Sequence, residues 1–177
     1  MSIPAYMFDT VVFNRILDGA LDIGAFVGKA RFYATHIQLD EINATSTLQR
    51  RQALLEVFNR IIERKVPTES FALDVTRLDE ARLGGGNIVS TESAVWNVSA
   101  WGQAKWGEAD GLYAAFKAEL DTLNKSKPNN VQDTLIAETA IKNRFDLVTD
   151  DVDLCTVTKK FGGQCTNTKQ LASDLGL

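Results

Sequence analysis

One stretch, Asn129–Asp153, restricts the fold of this chain more than any other. It begins with helical spacing, continues into the short apolar run of residues 145–148, and ends in an acidic cluster at residues 149–153. A helix followed by a short strand is typical of parallel sheets, which place their ligands at the carboxyl ends of the strands. Carboxylates that converge there repel one another by about 1–4 kcal/mol per close pair. The pattern therefore favours a cation site at this end of a sheet.

The composition limits the classes of function. The chain has 177 residues, of which 45% are hydrophobic and 24% charged, so we expect one domain with a sizeable core. The net charge of −4 argues against a broad polyanion-binding surface. No apolar run reaches the roughly 18 residues of a membrane span, and no signal peptide is evident. Cys155 and Cys165 lack C-x-x-C spacing, which favours reduced cysteines and a cytoplasmic protein.

Short apolar runs alternate with amphipathic helices along most of the chain, which predicts an α/β fold with a parallel sheet between helices. Strands are predicted at residues 3–8, 31–34, 71–75, 145–148 and 164–166. Helices are predicted at 10–17, 47–65, 76–83, 107–124, 152–161 and 168–175, and after Thr35 and Asn129. The basic outer face of the 47–65 helix is interpreted as a solvated surface, with a phosphate-contacting rim as the alternative.

An aromatic segment interrupts this alternation after the three glycines at residues 84–86. Trp96, Trp101 and Trp106 are spaced five apart, which fits neither one helix face nor one strand face. We therefore expect an insertion over about residues 84–107 that packs in the core or in an interface. A platform on which unpaired bases stack is the alternative.

Acidic residues follow the predicted strands or begin the predicted helices. They are Asp9, Glu41, Asp133, Asp150, Asp151 and Asp153. Because the carboxyl ends of parallel strands meet at one rim, we expect these carboxylates to lie within a few ångströms of each other. Hard oxygen ligands suit Mg²⁺ or Mn²⁺, which can acidify a bound water and neutralise charge on a leaving oxygen. The chemistry predicted is hydrolysis of a phosphodiester.

Other site chemistries have little support. His36 is the only histidine and no G-x-S-x-G motif is present, which argues against a nucleophile–histidine enzyme. We interpret His36 as a structural residue near the start of the second helix. A zinc site is expected to need more cysteine and histidine than the chain offers, and the phosphate-binding loop G-x-x-x-x-G-K-[ST] is missing.

The chain resembles the PIN domain family of metal-dependent ribonucleases, whose best-known small members are the toxins of toxin–antitoxin operons. The resemblance runs nearly from end to end and is carried by four segments. These are Tyr6-Met7-Phe8-Asp9-Thr10, Thr35 followed six residues later by Glu41, Val131-Gln132-Asp133-Thr134-Leu135-Ile136-Ala137, and the T-x-D-x-D motif within Leu147-Val148-Thr149-Asp150-Asp151-Val152-Asp153.

This resemblance implies a role for each acid and a single three-layer α/β/α sandwich over residues 1–177, with a central parallel sheet of about five strands. The four principal acids, which act in catalysis and hold Mg²⁺ or Mn²⁺, are Asp9, Glu41, Asp133 and Asp151. Asp153 would be an auxiliary metal ligand and Asp150 the variable residue between them. Thr149 would orient the acids or a water through its hydroxyl.

The activity implied by the resemblance is endoribonuclease cleavage of RNA that leaves a 5′-phosphate and a 3′-hydroxyl. For a toxin, an antitoxin protein is expected to cover the acidic rim, and a homodimer is a further expectation. Two alternatives stay open. One is a catalytically silent RNA- or protein-binding module on the same scaffold, and the other is a structure-specific DNA nuclease.

Overall fold

The computed structural model describes residues 3–22, 24, 28–72, 75–76, 80, 88–89 and 111–176. Its strands are β1 (Ala5–Phe8), β2 (Arg31–Ala34), β3 (Arg64–Lys65), β4 (Phe71–Ala72), β5 (Ile88–Val89), β6 (Asp146–Val148) and β7 (Cys165–Thr166). Its helices are α1 (Thr10–Leu17), α2 (His36–Asn43), α3 (Leu48–Ile61), α4 (Leu112–Asn124), α5 (Asn130–Asn143), α6 (Val152–Lys160) and α7 (Thr168–Asp174).

Five strands form one sheet in the order β3-β2-β1-β6-β7, and every neighbouring pair is parallel. Strand β1 lies at the centre, where Tyr6 pairs with Phe32 on one side and with Asp146 on the other. The residue that follows β1 therefore reaches the middle of the rim where the carboxyl ends of the strands meet. The predicted α/β fold with a parallel sheet of about five strands is confirmed.

Helices cover both faces of this sheet because the strands are apolar on both sides. Phe8 packs into one core together with side chains of α1, α3 and α7. Its neighbour Met7 points to the opposite face and packs with α4, α5 and α6. This alternation follows from the period of two along a strand. The result is a three-layer arrangement of helix, sheet and helix.

The strand predicted at residues 71–75 is present only as β4 (Phe71–Ala72), and its expected place in the main sheet is wrong. The sheet takes Arg64 and Lys65 as its edge strand β3, residues that the sequence pattern assigned to the end of the long helix. Helix α3 ends at Ile61 because the following backbone bonds to β2 instead, with Glu63 N donating to Phe32 O at 2.9 Å. Strand β4 pairs with β5 in a separate two-stranded sheet. Both β3 side chains are exposed, so no apolar pattern marked this strand.

The expectation of two reduced cysteines is also wrong. Cys155 on α6 and Cys165 in β7 form a disulfide, with Cα atoms 5.5 Å apart. The chain reverses tightly between the two elements, and a Cβ at Gly163 would lie only 2.7 Å from Ile141 Cγ1. Glycine permits this close approach, which brings together two positions ten residues apart in the sequence.

The predicted aromatic insertion over about 84–107, with its three tryptophans, lies outside the described residues apart from β5. The predicted helix over 76–83 lies mostly outside them too, and Thr76 and Glu80, which are described, are not helical. Among the helices that the structure describes, none has the length and apolar character needed to cross a bilayer.

Candidate active site

Asp9 lies directly after the central strand and begins the site. Its backbone N–H donates to Val148 O at 3.0 Å, which extends the β1–β6 pairing by one residue. The side chain caps α1, since its Oδ1 accepts from Thr10 N at 2.6 Å. Its Oδ2 accepts from Thr149 Oγ1, also at 2.6 Å. The residue is only 9% exposed, and burial raises the pKa of Asp9 although both hydrogen bonds oppose the shift.

Thr149 joins Asp9 to the acidic cluster that follows β6. While its hydroxyl donates to Asp9, it accepts from Asp151 N at 3.0 Å. Asp151 in turn caps α6, because its Oδ1 accepts from Asp153 N at 2.9 Å and from Leu154 N at 3.0 Å. Burial works to raise the pKa of Asp151, but the helix N–H groups and a nearby lysine hold it below its usual range. This acid is therefore ionised at neutral pH.

Glu41 reaches the same rim from α2. Gln38, one turn earlier, donates from Nε2 to Phe8 O at 2.7 Å and so fixes this helix to the end of β1. The Glu41 carboxylate accepts a hydrogen bond from Thr10 Oγ1. Burial raises the pKa of Glu41, the Thr10 hydrogen bond lowers it, and the charge of Asp9 raises it further. Glu41 and Asp9 thus contact the same residue of α1 from opposite sides.

Asp133 completes the cluster from the first turn of α5, and it is 6% exposed. Its Oδ2 accepts from Asn129 Nδ2 at 2.9 Å. Burial and then the charges of Asp9, Glu41 and Asp151 raise the pKa of Asp133 to about 8, with a lysine opposing. Four carboxylates that are far apart in the sequence therefore act on one another. We call this set the acidic pocket: Asp9, Glu41, Asp133 and Asp151.

The two remaining predicted acids lie beside the acidic pocket. Asp153 sits in the first turn of α6, and its charge acts on Lys127. Asp150 turns away, since it accepts from Arg15 Nε at 2.9 Å and from Thr168 N and Oγ1 at 3.0 and 2.8 Å. Asp150 therefore ties α1 and α7 to the strand end.

Three polar residues of the site were not singled out by the sequence pattern. Lys127 Nζ donates to Asp151 Oδ2 at 3.1 Å, although its surroundings resemble a simple connector. Asn129 holds Asp133, and the Thr10 hydroxyl holds Glu41. Asn129 could have been suspected, because an asparagine that precedes a helix commonly bonds to its first turn. The lysine contact depends on how two distant loops meet.

The double role of the Thr149 hydroxyl gives a stability prediction. Thr149→Val keeps the shape of the side chain but leaves an Asp9 oxygen and the Asp151 N–H without their partner. We expect the free energy of unfolding to fall by about 1–3 kcal/mol, as measured by urea denaturation. Thr149→Ser is the matched control, because it retains the hydroxyl, and its loss should be smaller. An equal loss in both variants would show that the methyl group, and not the hydroxyl, stabilises this site.

A second group of metal-ligating side chains lies on the other side of α2. His36, Asp40 and Glu80 each offer one ligand atom, and these atoms lie within 4.8 Å of one another. Within the described ranges, the acidic pocket does not reach this close spacing. Mg²⁺ tolerates this wider spacing because it keeps several of its waters. The donor set, which consists of hard oxygen atoms in negative excess, fits Mg²⁺ or Mn²⁺.

Comparison with known proteins gives likenesses of structure but none of sequence. Neither a protein-family model nor a curated protein matches this sequence. A chain from the crystal structure of VapBC2 from Rickettsia felis, bound to a DNA fragment from their promoter, is similar in structure. The two chains share 16% sequence identity, with a TM-score of 0.48 over 92% of this chain and 97% of that one.

Proposed function

We propose that this chain is a Mg²⁺- or Mn²⁺-dependent endoribonuclease that hydrolyses RNA phosphodiesters at the acidic pocket. One observation carries the proposal: four carboxylates from four separate segments gather around the end of the central strand. Asp133 is so strongly affected by burial and by the other three charges that its pKa rises to about 8. Such an excess of buried negative charge is typical of a site that binds a cation.

The four acids would hold the ion directly or through its water ligands, with Asp153 at the margin as an auxiliary ligand. When bound, the ion supplies an acidified water and neutralises charge on the leaving oxygen. The resemblance to the PIN domain family supports RNA as the substrate and products with a 5′-phosphate and a 3′-hydroxyl.

The polar residues around the acids have positioning roles in this proposal. Thr149 fixes the Asp9 carboxylate and the Asp151 backbone at the same time. Asn129 holds one oxygen of Asp133, which would leave the other for the ion. The Lys127 side chain is 44% exposed and pairs with Asp151 by a single contact, so it can turn to a phosphate oxygen of the substrate. An ammonium group binds phosphate as a point charge without fixed geometry.

A toxin with this activity would be held inactive by an antitoxin that covers the acidic pocket. That partner, a homodimer and a cytoplasmic location all stay predictions. A basic side chain from the antitoxin could occupy the pocket, because the acids there would otherwise repel one another. Finding a small gene beside this one, whose product binds the chain and blocks RNA cleavage, would support the toxin assignment. Harmless overexpression of the chain alone would count against it.

The test is cleavage of a single-stranded RNA and of a forked DNA in Mn²⁺, with a chelator in parallel. Asp151→Asn is the decisive variant, because asparagine caps a helix as well as aspartate does while the charge is lost. We expect RNA to be cut in Mn²⁺ and not in chelator, and the variant to be about 100-fold slower or worse.

Three other outcomes would contradict the proposal, and each has its own explanation. Cleavage that Asp151→Asn leaves unchanged would reveal a contaminating nuclease. RNA that is retained without being cut, in chelator as in Mn²⁺, would indicate the silent binding module. Faster cleavage of the forked DNA than of the RNA would indicate the structure-specific DNA nuclease.

A further inference from the structure

The second group of ligand-type side chains, His36, Asp40 and Glu80, is not used by the proposed nuclease site. His36 and Asp40 are one turn apart on α2 and therefore share a helix face. Glu80 comes from a separate segment, whose position is fixed where its carbonyl oxygen accepts from Thr68 N at 3.0 Å. Glu41, the next residue after Asp40, contacts Thr10 instead. Helix α2 thus contributes Glu41 to the acidic pocket and Asp40 to this second group.

The imidazole of His36 is the nitrogen donor of this group, whose ligand atoms lie within 4.8 Å of one another. The side chain is 4% exposed, and its Nε2 lies 3.3 Å from Val75 O and 3.7 Å from Glu80 Oε2. Its Nδ1 is buried and, within the part of the chain that the structure describes, has no hydrogen-bond partner. A neutral imidazole has one N–H and one lone pair. Nε2 is the ring nitrogen on the side of Glu80, so it would be the ligand atom for an ion held together with that carboxylate.

We propose that His36, Asp40 and Glu80 bind a divalent transition-metal ion, with Zn²⁺ as the preferred ion, at a site distinct from the acidic pocket. An imidazole and two carboxylates form a mixed nitrogen and oxygen set, which binds Zn²⁺ more tightly than Mn²⁺. Three protein ligands and one water complete a tetrahedral site. The two carboxylates also balance the charge of the ion.

The expected role is structural. The ion would join α2, which also carries Glu41, to Glu80, whose carbonyl oxygen accepts from Thr68 N. The sequence pattern argued against zinc because it counted only cysteine and histidine. Two carboxylates, one of them 40 residues further along the chain, supply the missing ligands.

The test is a Zn²⁺ titration of metal-depleted protein by calorimetry, in the Asp133→Asn background that weakens the acidic pocket. We expect one Zn²⁺ per chain, and affinity that falls at least about tenfold in Glu80→Gln and in Asp40→Asn. Co²⁺ is the spectroscopic probe, since its visible absorption band should appear with the background protein and be lost in Glu80→Gln. Glu63→Gln is the matched control, because that exposed carboxylate only pairs with Arg31 at 3.8 Å.

Asp40 and Glu80 are the residues changed in this test because both are partly exposed. The buried His36 is left unchanged, since its replacement could prevent folding. Circular dichroism of each variant establishes that it is folded. Zn²⁺ affinity that is the same in both variants and in the background protein would overturn the proposal, and so would a background protein that binds no Zn²⁺. Since binding and not RNA cleavage is measured, this result is independent of the nuclease assignment.

Discussion

Asp133→Asn is expected to make the metal-free protein more stable while it removes RNA cleavage. The pKa of Asp133 rises from the ordinary 3.8 to about 8 on folding. Between these two values the folded protein binds a proton that the unfolded chain has released. The free energy of unfolding therefore falls as pH rises through this range, by on the order of 4 kcal/mol at pH 7. Asparagine is neutral throughout and avoids this loss, and its oxygen can still accept from Asn129.

Urea unfolding at pH 5, 7 and 8.5 without divalent ions measures this effect. The difference between variant and wild type should be small at pH 5 and should grow with pH until it levels off above pH 8. Asp22→Asn, which changes an exposed acid, is the control and should show no such trend. A variant that is less stable than the wild type at pH 8.5 would contradict the effect of burial and repulsion at this position.

The same variant separates metal binding from folding. Mn²⁺ at 100 times its dissociation constant stabilises a folded protein by about 2.7 kcal/mol if it binds only the native state. The wild type should gain this stability at pH 8.5, above the pKa of Asp133, where a proton competes less with the ion. The variant should gain much less. Equal stabilisation by Mn²⁺ would place the ion outside the acidic pocket.

Asp9→Asn is expected to lower the rate of RNA cleavage in Mn²⁺ by about 100- to 1000-fold, the range for losing one preorganised electrostatic group. Asp9 follows the central strand and is almost fully buried. Its charge acts on Asp133. It shares the hydrogen-bond partner Thr10 with Glu41 and the partner Thr149 with Asp151. Asparagine retains an oxygen that can cap α1. Its amide group replaces the oxygen that accepts from Thr149, so we expect the free energy of unfolding to change by at most about 1–3 kcal/mol, and the main loss to appear in kcat/KM.

Asp150→Asn is the matched control for this experiment. It removes an acid from the same T-x-D-x-D motif, but one whose carboxylate is bound to Arg15 and Thr168. Its cleavage rate should stay within a few-fold of the wild type. Equal losses in the two variants would mean that net negative charge, and not the geometry around Asp9, determines the rate.

The sheet could be predicted from the sequence because its inner strands are buried on both faces and end abruptly at polar residues. The run Met7-Phe8-Asp9 combines both signals, and so does the run before Thr149. Parallel strands bring such ends to one rim whatever lies between them. For that reason acids 142 residues apart, at positions 9 and 151, could be expected to meet before any contact was known.

The remaining features depend on contacts that leave no local signal. The edge strand β3 has two exposed basic residues and is formed only by pairing with β2. The contact between Lys127 and Asp151 and the approach of Glu80 to His36 each join loops whose paths the pattern does not determine. The disulfide forms because the chain reverses tightly at Gly163, and this reversal depends on packing that the sequence pattern does not show.

Three consecutive residues at the end of β6 make contacts with two different parts of the molecule. Thr149 and Asp151 face the carboxylates, while Asp150 between them holds the start of the last helix through Thr168. The backbone of residues 149–151 consequently places α7 and the acidic pocket at the same time.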